Sequence, residues 1–255
     1  MIELPQTPSF RIDGQRALIT GASRGIGMGA AVALADAGAS VVLAARPSDD
    51  LYAVAASISG RGCKCETVEL DVTDIDRVAT VVEEQEPFDI LVNNAGLNRP
   101  GPMQSMTAED FDAVMNINVR AAYFVAKAVV RKMLVRGQGG SIINTSSQMG
   151  HVGGIDRTIY CASKHALEGL TRALAIELGE HKIRVNTICP TFIMTPFTKS
   201  TFDDPTRAAW IKSKIKLGRI GEIEDVMGAV VFLASSASAL ITGSSILIDG
   251  GWTAG

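Results

Sequence analysis

The amino-acid sequence predicts an α/β domain in which a doubly wound parallel sheet of seven strands carries helices on both faces. Three observations lead there. Short β-rich runs alternate with helical patterns along all 255 residues. Several of these runs are apolar at successive positions, such as Val41-Val42-Leu43 and Ile90-Leu91-Val92, as expected of strands covered from both sides. A glycine-rich turn directly follows the first run and opens a helix. Right-handed crossovers between such parallel strands give a Rossmann-like architecture.

The strands are expected at residues 16–20, 40–45, 66–70, 90–93, 141–145, 184–189 and 245–248. Helical periodicity fills the gaps, and two stretches, 111–135 and 159–178, are apolar or small on more than one stripe. A helix apolar on two faces has two partners: the sheet, and either a second subunit about a two-fold axis or the chain's own loops. No low-complexity linker, repeat or charge block divides residues 1–255, so a single domain is expected. Segment 195–216 differs in character: Pro196, Phe197, Phe202, Pro205 and Trp210 lie among polar residues, as in a lid above the sheet edge.

Composition narrows the function classes. Hydrophobic residues make up 47%, the formal charge is −3 and there is no long basic run, which argues against a nucleic-acid surface or attachment to anionic membranes. Segment 228–248 lacks charge, but its serines, Thr242 and Gly243 break it into a helix end, a turn and a strand, so it reads as core rather than membrane span. The N-terminal residues show neither a basic start nor an apolar core, so no secretory signal is expected and the cytoplasm is the default. Four cysteines without C-x-x-C spacing and three histidines point to reduced structural thiols and no metal site. A small-molecule substrate is the expected partner.

The glycine turn is Thr20-Gly21-Ala22-Ser23-Arg24-Gly25-Ile26-Gly27. Its backbone N–H groups and the following helix N-terminus suit a pyrophosphate, since the helix dipole favours negative charge there. The spacing G-x-x-x-G-x-G differs from the common G-x-G-x-x-G pattern. Where a cofactor with a free ribose 2′-hydroxyl would meet an acidic residue at the end of the second strand, this chain has Ala45-Arg46. Arg24 and Arg46 together suit a 2′-phosphate, which favours NADP(H), while Asp49 and Asp50 keep NAD(H) open. Asp71-Val72 after the third strand has two readings, an adenine contact or a helix cap. Asn93-Asn94-Ala95-Gly96 suits a turn that shapes the cofactor crevice or touches the cofactor.

Tyr160 and Lys164 stand four residues apart, hence on one helical face, and Ser147 lies 13 positions before Tyr160. A free Tyr has pKa ~10, and a nearby cation favours the phenolate. A phenol tuned in this way can exchange a proton with a substrate oxygen that Ser147 shares.

Together these motifs resemble the short-chain dehydrogenase/reductase family from Arg16 through Gly251, including Asn118, the 186–190 segment Asn-Thr-Ile-Cys-Pro, Thr195 and Asp249-Gly250-Gly251. The resemblance implies an oxidoreductase, usually a homotetramer or homodimer, that interconverts carbonyls and secondary alcohols with a nicotinamide cofactor. Family members include 3-oxoacyl-thioester reductases and sugar or polyol dehydrogenases. By the same resemblance, Tyr160 is the general acid/base, Lys164 binds the nicotinamide ribose and lowers the Tyr pKa, Ser147 polarises the substrate oxygen, and Asn118 holds a water in a proton path. Gly21, Ser23, Arg24, Gly25, Ile26, Gly27, Arg46, Asp71, Val72, Asn93, Ala95, Gly96, Pro190, Ile193 and Thr195 join Tyr160 and Lys164 on the cofactor side. Thr191 departs from the family's usual glycine after Pro190, which implies either a narrower space beside the nicotinamide or an added contact to the substrate. The expected substrate pocket comprises Gln148, Met149, His151, Thr191, Phe192 and Phe197, with Asn98 near it. A regulator that binds NADP without catalysis is the competing class, and the intact Ser147, Tyr160 and Lys164 speak against it.

Overall fold

The computed structural model describes residues 2–255. Seven parallel strands form one sheet in the order β3-β2-β1-β4-β5-β6-β7. They are β1 Arg16–Thr20, β2 Ser40–Ala45, β3 Cys65–Glu69, β4 Ile90–Asn93, β5 Gly140–Thr145, β6 Ile183–Pro190 and β7 Ser245–Ile248. The apolar runs occupy the middle of the sheet, where Leu18 pairs with Val42 on one side and Leu91 on the other. β3 begins one residue earlier than its sequence pattern suggests. It is an edge strand, mostly exposed, with no continuous apolar run to fix its limits.

Two hydrophobic layers cover the sheet. On one face, α1 (Gly25–Asp36), α2 (Asp49–Gly60) and α8 (Glu224–Ala234) bury Leu34, Leu51, Ile58 and Val230 against Ile19, Leu43 and Val92. On the other, α3 (Ile75–Glu84), α5 (Ala122–Arg136) and α6 (Thr158–Leu178) bury Val78, Val129, Met133 and Leu178 against Leu18, Leu91 and Ile142. α1 is small-residue-rich because it lies close to α8: a Cβ on Gly29 would sit 2.3 Å from Ile223 Cγ2.

The apolar stretch expected at 111–135 is longer and interrupted. α4 (Ala108–Met115), opened by a Thr107–Asp110 capping box, runs through a π-helical turn at Asn116–Ala121 into α5. The whole 108–136 stretch is long and apolar enough to cross a membrane by length and composition, yet α5 packs Val125, Val129 and Met133 into the core. Segment 195–216 contains a 3-10 turn, Lys199–Phe202, and α7 (Pro205–Lys214), started by the Asp204 cap and Pro205. Aromatic rings tie this segment to the C-terminal end of the sheet: Trp210 meets Trp252 at 5.7 Å, Trp252 meets Phe192 at 5.8 Å, and Phe192 meets Phe202 at 6.1 Å.

Candidate active site

The strand order reverses between β1 and β4, which opens a crevice at their carboxyl ends. The glycine turn enters it from β1. Gly21 and Gly25 adopt left-handed backbone, with φ of 65° and 58°. A Cβ on Gly27 would lie 2.3 Å from Gly21 O and 2.4 Å from Asn94 Nδ2, so the helix starts close against the turn. Asn94 fastens the arrangement by donating to the carbonyls of Thr20 and Gly21, while Thr20 Oγ1 accepts from the backbone N–H groups of Asn94 and Ala95. The sequence motif contained Asn94, but its clamping role appears only when β1 and β4 are brought side by side.

The N-terminus of α1 has no side-chain cap and no acidic residue in its first turn. Arg24, at its N-cap, and Arg46, just after β2, are both exposed, and neither takes part in an ion pair among the described residues. Asp71 is turned into its own loop, where it accepts from Thr73 N and Oγ1, and Asp74 is the residue that caps α3. The Thr73 hydrogen bonds hold the Asp71 carboxyl below its usual range, with a smaller contribution from Arg46. Val72 is buried in the core, and the Asn93 side chain points inward to Ala122 O and Asn144 Oδ1, so neither side chain faces the crevice.

The remaining cofactor-side residues close the other flank. Thr195 is buried with its side-chain carbons 3.5 Å from where a Cβ on Gly25 would stand, and Ile193 beside it is also buried. Gly96 faces Asn118 and Lys164: a Cβ there would lie 3.3 Å from Asn118 Oδ1 and 3.8 Å from Lys164 Nζ. These close approaches leave backbone-lined space where side chains would intrude. Thr191 Oγ1, Thr145 Oγ1 and Gln148 Oε1 are buried without a hydrogen-bond partner in the protein. Such orphaned polar atoms, the glycine cradle and the unpaired arginines fit a phosphate-bearing nicotinamide cofactor.

Ser147, Tyr160, Lys164 and Asn118 converge. Ser147 comes from the loop after β5; its Oγ accepts from Met149 N at 3.1 Å, and the hydroxyl acts on the neighbouring Tyr160 phenol. Lys164 Nζ, one turn along α6, lies 5.5 Å from the centroid of the Tyr160 ring and donates to Thr145 O at 2.8 Å. Asn118 sits inside the π turn. Its side chain accepts from Leu97 N at 2.7 Å and donates to Leu97 O at 2.9 Å and Ser163 Oγ at 3.0 Å. The hydrogen bonds of this buried amide explain why an Asn interrupts an apolar helix.

The electrostatics differ from the expectation that Lys164 lowers the phenol. Burial pushes Tyr160 up to about 12, against the Ser147 hydrogen bond and the charge of Arg157. Burial also pushes Lys164 down to about 8, with Cys189 and Glu168 acting the other way. The ammonium is aimed at a carbonyl rather than at the phenol oxygen, so Lys164 alone does not bring Tyr160 towards neutral pH.

Of the expected pocket residues, Met149 and Phe192 line a cleft of about 960 Å³ that is walled also by Arg157, Arg207, Trp210 and Trp252. Gln148 is 1% exposed, and Phe197 is 53% exposed on the surface of the 195–216 segment. His151 turns away from the cleft: its Nε2 is 3.4 Å from Cys189 Sγ and 3.7 Å from Glu168 Oε1. The buried Glu168 also accepts from Thr187 at 3.1 Å and Ser245 at 2.6 Å. Burial alone would raise this carboxyl, but hydrogen bonds, among them those from Ser245 and Cys189, outweigh it and hold the carboxyl below its usual range. The absence of C-x-x-C spacing gave no hint of this His–Glu–Cys group, because its members lie on three separate elements. Arg157 also escaped notice, since a lone Arg in a loop reads as a solvated charge.

A family model described as enoyl-(acyl carrier protein) reductase matches residues 21–253. The chain is 39% identical to a D-erythrulose reductase of Gallus gallus, over 96% of this chain and 98% of that protein. It is 38% identical to a gluconate 5-dehydrogenase of Gluconobacter oxydans, over 96% of each. A gluconate 5-dehydrogenase from Burkholderia cenocepacia, solved in complex with NADP and tartrate, superposes with a TM-score of 0.93 at 34% identity, covering 96% of this chain and 98% of that one.

Proposed function

The chain belongs to the short-chain dehydrogenase/reductase family, and from that premise we propose that it is an NADP(H)-dependent oxidoreductase interconverting a carbonyl and a secondary alcohol on a small sugar-like substrate. The convergence of Ser147, Tyr160 and Lys164 beside the glycine cradle is the observation that carries the reading. Its sugar-like substrate class draws on relatives named for erythrulose and gluconate.

A nicotinamide cofactor supplies the hydride when bound. The N–H groups of the 21–27 turn and α1 would hold its phosphates, Arg24 and Arg46 would take the 2′-phosphate, and Thr195 with Ile193 would flank the nicotinamide. Ser147 orients the substrate oxygen by hydrogen bonding. Tyr160 donates its proton to that oxygen in reduction and recovers it in oxidation. Lys164, held by Thr145, would bind the nicotinamide ribose, and Asn118 keeps α4 and α5 in register behind it. Segment 195–216 acts as the lid, and the exposed Phe111, Tyr123 and Ile176 form a self-association surface.

The test is a panel of ketoses, keto acids and simple ketones assayed with NADPH and with NADH, together with the matching alcohols and oxidised cofactors. Carbonyl-dependent oxidation of NADPH exceeding that of NADH is expected. Tight NADPH binding with no turnover of any carbonyl would overturn the reading in favour of a cofactor-binding regulator.

A further inference from the structure

The cleft lined by Met149 and Phe192 also holds a buried cation, Arg157. Arg157 is 4% exposed and stands one helical turn before Tyr160. Its guanidinium makes one hydrogen bond, from Nη1 to the main-chain oxygen of Asp156 at 3.1 Å. None of the ion pairs among the described residues includes Arg157, Arg207 or Lys214. A guanidinium offers five donors, so Arg157, with one hydrogen bond in the protein, has donors left for a ligand in the cleft.

Three further features act on the same space. Arg207 and Lys214, from α7, line the same cleft as Arg157. Burial and the nearby Arg207 charge both push Arg157 below its ordinary range, with Asp156 acting the other way. The N-terminus of α6 has no side-chain cap and no acidic residue in its first turn, and Arg157 itself occupies the cap position. Two side-chain carboxylates, Asp156 and Asp204, line the cleft, as does the carboxylate of Gly255. Asp204 Oδ1 is engaged by Thr206 N and Arg207 N as the cap of α7, and Asp156 is not within ion-pairing distance of Arg157.

We propose that this cleft binds an oxyanion carried by the carbonyl substrate, a carboxylate or a phosphate monoester, between the Arg157 guanidinium, the N-terminus of α6 and Arg207. The proposal rests on the reading of the chain as a carbonyl/alcohol oxidoreductase. Arg157 and Tyr160 stand three residues apart at the start of α6, and the Arg157 charge acts on the Tyr160 phenol, so an anion held by Arg157 lies near the reacting carbonyl. Planar, bidentate recognition by arginine suits both anions. Phe192, Trp210 and Trp252 wall the cleft.

The experiment uses protein saturated with NADP+, so that the cofactor's own phosphate sites are filled. Thermal unfolding is measured with malonate, inorganic phosphate, glycerol, and sodium chloride at matched ionic strength. Malonate or phosphate should raise the midpoint where glycerol and chloride do not, and Arg157→Met should abolish the rise. In parallel, kcat/KM is compared for a neutral ketose, the keto acid of equal carbon number and the phosphorylated ketose. The preferred anion should exceed the neutral ketose by at least about tenfold, and Arg157→Met should remove that preference mainly through KM. Which of the two anions is preferred identifies the source of the charge.

Arg157→Lys should restore part of the preference, and Arg207→Ala should weaken it without affecting folding. Equal midpoint rises in wild type and Arg157→Met, or a neutral ketose used as well as both anions, would overturn the proposal. Anion binding lost in Arg157→Met, with no turnover of any carbonyl, would instead overturn the functional reading while leaving the anion site in place.

Discussion

Lys164 Nζ donates a 2.8 Å hydrogen bond to the carbonyl oxygen of Thr145, the last residue of β5, and so joins the helix that carries Tyr160 to the sheet edge that carries Ser147. Burial holds this ammonium down at about 8, from 10.5. Between those values the unfolded chain keeps a proton that the folded chain has released, so the group adds stability as pH rises from 8 to 10.5. Tyr160, with its raised value, acts in the opposite sense only above 10. In Lys164→Met this increment should be missing. The difference in unfolding free energy between wild type and variant, from urea melts across the window, should grow with pH by up to about 3 kcal/mol. A difference independent of pH would show that the ammonium is solvated.

The crevice depends on Gly27. A Cβ there would lie 2.3 Å from Gly21 O and 2.4 Å from Asn94 Nδ2, so Gly27→Ala must displace the turn. The expected cost is roughly 1–3 kcal/mol of stability, with loss of most NADPH affinity by calorimetry. Gly60→Ala, at an open helix position with nothing within 4 Å, should be neutral or stabilising by up to about 1 kcal/mol.

Asn118 ties the π turn to Leu97 and Ser163 through three hydrogen bonds. Asn118→Leu would bury the Leu97 peptide groups unpaired and should cost about 2–4 kcal/mol. Chemical denaturation measures that loss, and turnover should fall with it. A variant of wild-type stability would mean that the turn is held by other contacts.

Arg46→Asp tests cofactor choice. It should weaken NADPH binding roughly ten- to hundredfold while changing NADH binding much less, as read by fluorescence titration of both cofactors. Equal weakening of both would remove Arg46 from the 2′-phosphate site.

The strand arrangement was legible because strands buried on both faces leave continuous apolar runs, as in β2 and β4, whereas the exposed edge strand β3 left its limits ambiguous. Tyr160, Lys164 and Ser147 were legible because helical spacing and one loop bring them together. The π turn at Asn118 was not, since hydrogen bonds to Leu97 and Ser163, far away in sequence, accompany it. His151 suited a pocket by its position in a loop, but its partners Glu168 and Cys189 come from α6 and β6 and draw it elsewhere. Arg157 acquires meaning only when α7 folds over it.

The central claim is that the Tyr160 phenol moves the proton at the substrate oxygen. Tyr160→Phe keeps the ring and removes the hydroxyl, so NADPH affinity should stay within about threefold while kcat falls by roughly 10²–10⁴-fold in both reaction directions. Full turnover in Tyr160→Phe, on protein that binds NADPH normally, would contradict the account.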